Sequence, residues 1–227
     1  MRPKIVKNYY PKMFGSIWDR KLFTWKELET LINIRPLMHE RRVNLLGCTV
    51  EYNWMNSPWS KHPDCYPPTL LRELIEKYVV YIGDMSRCTK KINDFARKLE
   101  RKYRLPCDAH LYMCRNPTGG HPFGIHFDRS HNVIIQCDGE TNFKVWEKIK
   151  DRDLFKMTHY QNQSSVGLSM NDPPLMDVIM KPGDAIWIPA YYPHLALSKT
   201  CRLSVSFPLL LSTEWGREYE DRKWVEL

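Results

Sequence analysis

The feature that most constrains the fold of this chain is a change of sequence period after Pro106. Beyond that residue, short runs rich in β-branched and aromatic residues follow at close intervals and are separated by polar turns containing Gly, Pro, Asn and Asp. Many short strands joined by polar turns predict a mainly β fold, either a jelly roll or a closed barrel. The predicted strands are His110–Cys114, Gly124–Phe127, Asn132–Cys137, Asn142–Trp146, Met176–Met180, Ala185–Ile188 and Leu203–Leu211.

Residues 1–104 show the period of amphipathic helices instead. Thr24 followed by Glu27 forms a capping box before an apolar helical face. A second helix is predicted to begin at the Pro67-Pro68 pair, and a third near Thr89. We therefore expect a helical N-terminal part, residues 1–104, that packs on the outside of a β core, residues 105–227, in one compact unit.

Composition and charge exclude several classes of protein. The chain has 227 residues, of which 43% are hydrophobic, so it can bury a sizeable core. Its seven cysteines show no C-x-x-C spacing, which argues against a zinc-thiolate site or a disulfide framework. We find neither a run of about 18 apolar residues nor a signal-peptide pattern, and therefore expect a soluble, intracellular protein without membrane partners.

The positive charge is concentrated in the first part of the chain. Residues 1–104 carry 21 Lys and Arg against 11 Asp and Glu, a net charge of +10, whereas residues 105–227 carry 13 against 15. Such a distribution suits an acidic or nucleic-acid partner. A solvated helical surface explains the same charges without any partner.

The pair His126 and Asp128 carries the chemistry of the β core. These residues lie two apart on a predicted strand, so their side chains share one face. An imidazole and a carboxylate together suit a divalent transition metal, and a second histidine would complete a facial triad. His194, which follows an apolar strand and a proline corner, is the candidate third ligand. His121, His131 and His159 are the alternatives.

The spacing around these residues follows a recognisable pattern. Gly120, His126, Asp128, Asn132 and Gly139 stand at the positions of G-x5-H-x-H-x3-E-x6-G, with Asp in place of the second His and Asn in place of the Glu. This segment is similar to the first motif of the cupin superfamily.

A second segment matches the other cupin motif, G-x5-P-x-G-x2-H-x3-N. Gly183, Pro189 and His194 fit it, whereas Tyr191 replaces a Gly and Ser198 replaces an Asn. The two segments together, over roughly residues 108–211, resemble the JmjC-type Fe(II)/2-oxoglutarate oxygenases. The resemblance implies a double-stranded β-helix, a metal centre of His126, Asp128 and His194, and dependence on Fe(II), 2-oxoglutarate and O2.

The residue that would anchor 2-oxoglutarate is less clear from the sequence. JmjC hydroxylases usually place Lys or Arg two residues after the glycine that matches Gly139, but this chain has Thr141 there. Lys144 should face away from Thr141 unless a bulge shifts the register. Arg202 is the favoured anchor, because a dicarboxylate needs a cation and Arg202 begins a polar strand face. Further hydrogen bonds are expected from Asn132, Thr141, Ser204, Ser206 and Tyr112.

These features predict a hydroxylase that acts on a C–H bond of a protein or amino-acid side chain. One alternative is a cupin without oxygenase chemistry that binds a metal or small molecule. Another is a JmjC-type N-demethylase, although those enzymes commonly have H-x-E. A small-molecule or nucleic-acid substrate stays open, and residues 150–176 are predicted to be an insertion at the substrate mouth.

Overall fold

The structure is a computed structural model in which residues 2–7, 22–33, 43–46, 68–83, 85–116, 124–149 and 167–211 are described. These residues form three helices, α1 (Trp25–Asn33), α2 (Pro68–Lys77) and α3 (Lys90–Tyr103). They also form eight strands, which are β1 (Lys4–Val6), β2 (Val43–Leu46), β3 (Val79–Ile82), β4 (His110–Cys114), β5 (His131–Val145), β6 (Met176–Met180), β7 (Ala185–Ile188) and β8 (His194–Leu209). His121, His159 and positions 150–166 of the expected insertion lie outside the described residues.

The strands pair antiparallel in the order β1-β7-β5-β8-β4-β3-β2, and β6 pairs with β5. The longest ladder joins β5 to β8, from His131 opposite Leu209 to Val145 opposite His194. Long strands such as β5 and β8, which take part in both layers of a rolled sheet, are typical of a jelly roll. The predicted double-stranded β-helix is therefore confirmed.

Strand β5 continues through the Asp138-Gly139 pair, which the sequence predicts to be a turn. That prediction is wrong, because register shifts between Gln136 and Asp138 and between Gly139 and Thr141 form bulges that bend the strand without ending it. Gly139 has a φ of +69°, and a Cβ atom there would lie 1.6 Å from the carbonyl oxygen of Cys201. Only glycine fits this close approach of two strands.

The helices cover one face of the sheet, as expected. Thr89 caps α3 by accepting a hydrogen bond from the backbone N–H of Ile92 at 3.2 Å. The apolar side of α3 then packs on β8, and the rings of Phe95 and Phe207 lie 4.6 Å apart. This apolar layer leaves the opposite face of β8, which is polar, turned toward the inside of the rolled sheet.

The first 104 residues are not helical throughout, which corrects one expectation. Strand β1 pairs with β7, and β2 and β3 extend the sheet beyond β4. Strand β3 begins only two residues after α2 ends. Its apolar residues therefore follow directly on those of the helix, and the change from a helical to a strand period is not visible in the sequence. The division at residues 104 and 105 into two parts stays a prediction.

Membrane crossing by a helix finds no support in the described part of the chain. No helix there combines the length and the apolar character that a bilayer span requires.

Candidate metal centre

The two predicted histidine ligands are brought together by the backbone. The N–H of His126 donates to the carbonyl oxygen of His194 at 3.1 Å, and the N–H of His194 donates back at 2.7 Å. Within residues 124–127 only His126 forms a β-bridge, with His194, so the strand predicted there is not present. The imidazole rings of His126 and His194 consequently lie side by side, with centroids 4.3 Å apart.

Asp128 completes the group. Its Oδ2 lies 3.6 Å from Nε2 of His194 and accepts a hydrogen bond from Asn132 Nδ2 at 2.6 Å. Asn132 in turn accepts from the Ser206 hydroxyl at 3.4 Å. This chain of polar contacts fixes the orientation of the carboxylate, as partners of metal ligands commonly do.

The donor atoms of His126, Asp128 and His194 all lie within 4.8 Å of one another. Two donors bound to one ion at about 2.1 Å are at most about 4.2 Å apart, so small side-chain adjustments would let the three residues hold a single divalent ion. His121 and His159 lie outside the described residues, and His131 instead accepts a hydrogen bond from the Ala190 N–H.

The imidazole orientations also suit metal binding. Nδ1 of His126 lies 3.1 Å from the carbonyl oxygen of Gly124, and Nδ1 of His194 lies 3.0 Å from that of Tyr192. A carbonyl oxygen only accepts, so each Nδ1 carries the proton and each Nε2 keeps its lone pair. Burial, together with the neighbouring His194, lowers the pKa of His126 to about 4, which keeps this ring neutral at neutral pH.

A cavity of about 410 Å³, including its open mouth, lies beside His126, Asp128 and His194. Its walls combine these three candidate ligands with polar and apolar side chains of the inner sheet face. The lining residues are Tyr112, Gly124, His126, Asp128, Asn132, Ile134, Phe143, His194, Ala196, Arg202 and Ser206. Four of the polar lining residues, Tyr112, Asn132, Arg202 and Ser206, are among those that the sequence predicts to contact a co-substrate. The apolar members were not predicted, although strand alternation from Asn132 could have indicated Ile134.

Arg202 lines this cavity and is only 2% exposed. Its Nε donates to the Ser204 hydroxyl at 2.9 Å, and its guanidinium carbon lies 4.8 Å from the centre of the Tyr112 ring. Within the described residues, Nη1 of Arg202 has no hydrogen-bond partner. A buried cation with an unused donor is costly, and an acceptor such as a carboxylate would satisfy it.

The other candidate anchors lie elsewhere. Lys144 is on the opposite face of β5 from the cavity-lining Phe143, and its Nζ lies 3.4 Å from Oδ2 of Asp177. Thr141 is fully buried but does not line the cavity, and Ser204 acts only by accepting the Arg202 hydrogen bond. The bulge at Gly139 precedes Thr141, so the alternation that turns Lys144 outward is kept.

Tyr112 lies on β4 opposite Ser204 and faces both the cavity and Arg202. Burial raises the pKa of its phenol well above the usual range, and the negative charge of Asp128 acts in the same direction. The hydroxyl of Tyr112 is therefore kept as an O–H donor, which suits an anionic ligand.

Tyr191 shows why the cupin pattern has glycine at this position. Its φ of +67° is in the left-handed region, and its N–H donates to the backbone oxygen of Asp128 at 2.8 Å. A left-handed residue is needed for the corner that returns the chain to His194. Tyr191 adopts this conformation at a cost that glycine avoids.

A jelly roll that turns two imidazoles and one carboxylate into a single cavity defines a class of metal-binding β domain. A model of the JmjC domain matches residues 87–214, more than half of the chain. The chain therefore belongs to the JmjC domain family, and the resemblance predicted from its motifs is confirmed.

Curated relatives show the same relationship at low identity. The chain is 20% identical over 213 residues to the bifunctional lysine-specific demethylase and histidyl-hydroxylase NO66 of Caenorhabditis elegans. The matched residues make up 93% of this chain and 27% of that protein. The chain is 23% identical over 122 residues to ribosomal oxygenase 1 of Danio rerio, with 52% of this chain and 21% of that protein covered. The chain thus spans about a quarter of these relatives.

Solved structures support the fold. YcfD, a ribosomal oxygenase from Escherichia coli, superposes with a TM-score of 0.57 at 17% identity, over 94% of this chain and 49% of that one. The same protein in complex with cobalt and 2-oxoglutarate gives a TM-score of 0.55 at 18% identity, again over 94% and 49%. At such identities the match describes the fold.

Proposed function

We propose that this chain is an Fe(II)- and 2-oxoglutarate-dependent oxygenase that hydroxylates a C–H bond of a protein or amino-acid side chain. The observation that carries the proposal is the convergence of His126, Asp128 and His194 beside a cavity that also contains the buried guanidinium of Arg202. A metal site alone would need no buried cation in the cavity, whereas a dicarboxylate co-substrate does.

The metal ligands would act by holding one ion and leaving its cavity side open. His126 and His194 present Nε2 lone pairs because their Nδ1 atoms are engaged with backbone carbonyls. Asp128 adds the negative charge, and its contact with Asn132 prevents rotation of the carboxylate. Three protein ligands leave open positions for a co-substrate and for O2.

Arg202 would pair with the distal carboxylate of 2-oxoglutarate. Its Nη1 is free to donate, while Ser204 holds Nε and the rings of Tyr112 and Phe143 lie 4.8 and 5.7 Å from the guanidinium carbon. These contacts fix the plane of the guanidinium before the ligand arrives. Preorganised donors of this kind strengthen binding because less motion is lost.

The apolar walls would exclude water from the reacting groups. Ile134, Phe143 and Ala196 line the cavity beside the polar residues and are supplied by β5 and β8. Fe(II) and 2-oxoglutarate, when bound, would supply oxidation by O2. One oxygen atom of O2 would enter succinate as 2-oxoglutarate loses CO2, and the other would convert a substrate C–H bond to C–OH. The protein's part is to bind, orient and shield these groups.

The name of the NO66 relative supports an amino-acid side chain as the group oxidised, since it refers to lysine and histidine residues. Removal of an N-methyl group is the second candidate, because the same name includes lysine demethylation. Side-chain hydroxylation is favoured here by the H-x-D pair of His126 and Asp128. A cupin without oxygenase chemistry is disfavoured, because such a protein does not need the unpaired cation at Arg202.

The experiment adds Fe(II) and 2-oxoglutarate to the purified chain without oxygen. We expect a visible metal-to-ligand charge-transfer band, followed by succinate formation once O2 is admitted. Absence of both the band and succinate would refute the proposal. Formaldehyde released from a methylated peptide would favour demethylation, and a mass gain of one oxygen atom on an unmethylated peptide would favour hydroxylation.

A further inference from the structure

Two segments of the chain carry the proposed metal ligands. The first ligand segment, residues 126–131, contains His126 and Asp128, and the second ligand segment, residues 190–194, contains His194. They are distant in sequence, so their relative position must be fixed by contacts between them. One of those contacts gives a side chain outside the ligand set a further role, which rests on the proposed metal site.

Hydrogen bonds join the two ligand segments, and four of them define the contact. Three use backbone groups only, namely the two between His126 and His194 and the one from the Tyr191 N–H to the Asp128 carbonyl. The fourth runs from the Ala190 N–H to Nδ1 of His131 at 2.9 Å. This last contact alone among the four depends on the identity of a side chain.

The His131 ring is held in place for this purpose. It stacks on the indole of Trp187 with centroids 5.3 Å apart and an interplanar angle of 29°. The ring of Tyr103 from α3 also stacks on Trp187, at 5.1 Å and 27°. Trp187 is 6% exposed, so this stack connects the first ligand segment to the packed interior.

The protonation of His131 suits an acceptor role. Burial lowers the pKa of this imidazole, so the ring is neutral at neutral pH. Because Nδ1 accepts from Ala190, the proton of the neutral ring is on Nε2. A charged imidazole would carry a proton on both nitrogens and could not accept.

The corner that His131 supports is a strained one. Ala190 directly precedes Tyr191, whose φ is +67°. A non-glycine residue keeps a left-handed conformation only when surrounding contacts hold it there. The bonds from the N–H groups of Ala190 and Tyr191 restrain the backbone on the N-terminal side of this residue, which lies three positions before His194.

We propose that His131 is a positioning residue for the metal centre: its ring, anchored on Trp187, clamps the second ligand segment to the first so that His194 meets His126 and Asp128. His131 touches neither the metal nor the co-substrate in this role. It acts through the backbone of Ala190.

The test separates the hydrogen bond that His131 accepts from the stacking of its ring on Trp187. His131→Phe keeps an aromatic ring for Trp187 and removes the acceptor, whereas His131→Asn removes the stack and places an oxygen near the position of Nδ1. The probes are Mn(II) affinity by calorimetry without oxygen and the visible absorption spectrum of the Co(II)-loaded chain. Thermal unfolding of the metal-free proteins checks that both variants fold.

We expect His131→Phe to weaken Mn(II) binding by roughly 10-fold and to change the Co(II) spectrum, in line with the usual effect of removing a partner outside the ligand set. His131→Asn should stay within about threefold of the unmodified chain, because it keeps an acceptor. His110→Phe, a matched change on β4, should leave Mn(II) affinity unchanged.

The outcomes are distinguishable. If His131→Phe folds and keeps both the affinity and the spectrum of the unmodified chain, the positioning role is refuted and His131 only packs. If His131→Asn loses affinity and His131→Phe does not, the stack and not the hydrogen bond controls the site, which also overturns the proposal. If the unmodified chain itself binds no Mn(II), the proposed metal site fails instead.

Discussion

His126 and His194 exchange a reciprocal pair of backbone hydrogen bonds although 67 residues lie between them. The backbone, and not the side chains, therefore places the two imidazoles beside each other. Asp128 is carried into the same group because it lies two residues after His126. The proposed metal centre is thus a property of the folded sheet, and substitutions at the ligands should affect binding more than folding.

Asp128→Asn should remove most metal binding. The change keeps the shape of the side chain but deletes the negative charge, and we expect Mn(II) affinity to fall more than about 100-fold, beyond the usual effect of an outer partner. Calorimetry of the metal-free chain measures this. Asp177→Asn, which affects the contacts of Asp177 with Lys144 and Asn142 and does not touch the cavity, is the matched control. Equal Mn(II) affinity in the two variants would contradict the ligand assignment.

Arg202→Lys should raise the concentration of 2-oxoglutarate needed for the charge-transfer band. Lysine keeps the charge but lacks the planar fork, and hydrogen bonds to charged groups contribute about 1.5 to 3 kcal/mol, which corresponds to roughly 10- to 100-fold. Metal affinity should change little. Lys144→Ala is the control, since Lys144 faces Asp177 and not the cavity. A larger effect in Lys144→Ala would exchange the two roles.

Gly139→Ala should strongly destabilise the fold, whereas Gly167→Ala should not. Both glycines have positive φ, +69° and +67°, so the backbone cost of alanine is similar. A Cβ at Gly139 would meet the Cys201 carbonyl at 1.6 Å, but one at Gly167 has no atom within 4 Å. We expect Gly139→Ala to lower the free energy of unfolding, measured with urea, by at least about 2 kcal/mol more than Gly167→Ala does.

Tyr191 tests the strain at the cupin corner. Tyr191→Gly and Tyr191→Ala both remove the ring, so their difference reports the backbone. At a φ of +67° the glycine variant should be more stable than the alanine variant by about 1 kcal/mol, even though glycine gains more freedom on unfolding. Urea unfolding of the two proteins provides the comparison, and a more stable alanine variant would count against a strained corner.

The stability of the metal-free chain should depend on pH through His126. Because the folded-state pKa is about 4 and the ordinary value is 6.5, the unfolded chain takes up a proton first as pH falls. The free energy of unfolding should be highest above pH 6.5 and decrease between 6.5 and 4. His126→Asn should reduce this slope, and His131, whose pKa is also lowered, accounts for part of the remainder. An unchanged slope in His126→Asn would contradict the assignment.

The sequence and the structure agree most closely where a local pattern determines the outcome. The bounds of β4, β6 and β7 are those predicted, because each strand is a short apolar or alternating run bounded by residues that do not continue the pattern. The same alternation placed Arg202, Ser204 and Ser206 on one face, and the structure has them on the inner side of β8.

Features that depend on distant partners could not be predicted in this way. The Asp138-Gly139 pair reads locally as a turn, and only the pairing of Gly139 with Arg202 in β8 makes it a bulge. Strand β1 has three residues, too few to show a period, and exists because β7 offers it an open edge. The clamp at His131 depends likewise on Ala190, 59 positions away.

The ladder between β5 and β8 has a consequence for how quickly the chain reaches its native state. It pairs residues about fifty to eighty positions apart, and chains rich in such non-local pairs refold slowly because each loop must close before its contacts form. Since His194 begins β8 and Asp128 lies just before β5, their meeting waits for that closure. Recovery of Mn(II) affinity after dilution from urea should therefore follow the slow kinetic phase of refolding, not an early collapsed state.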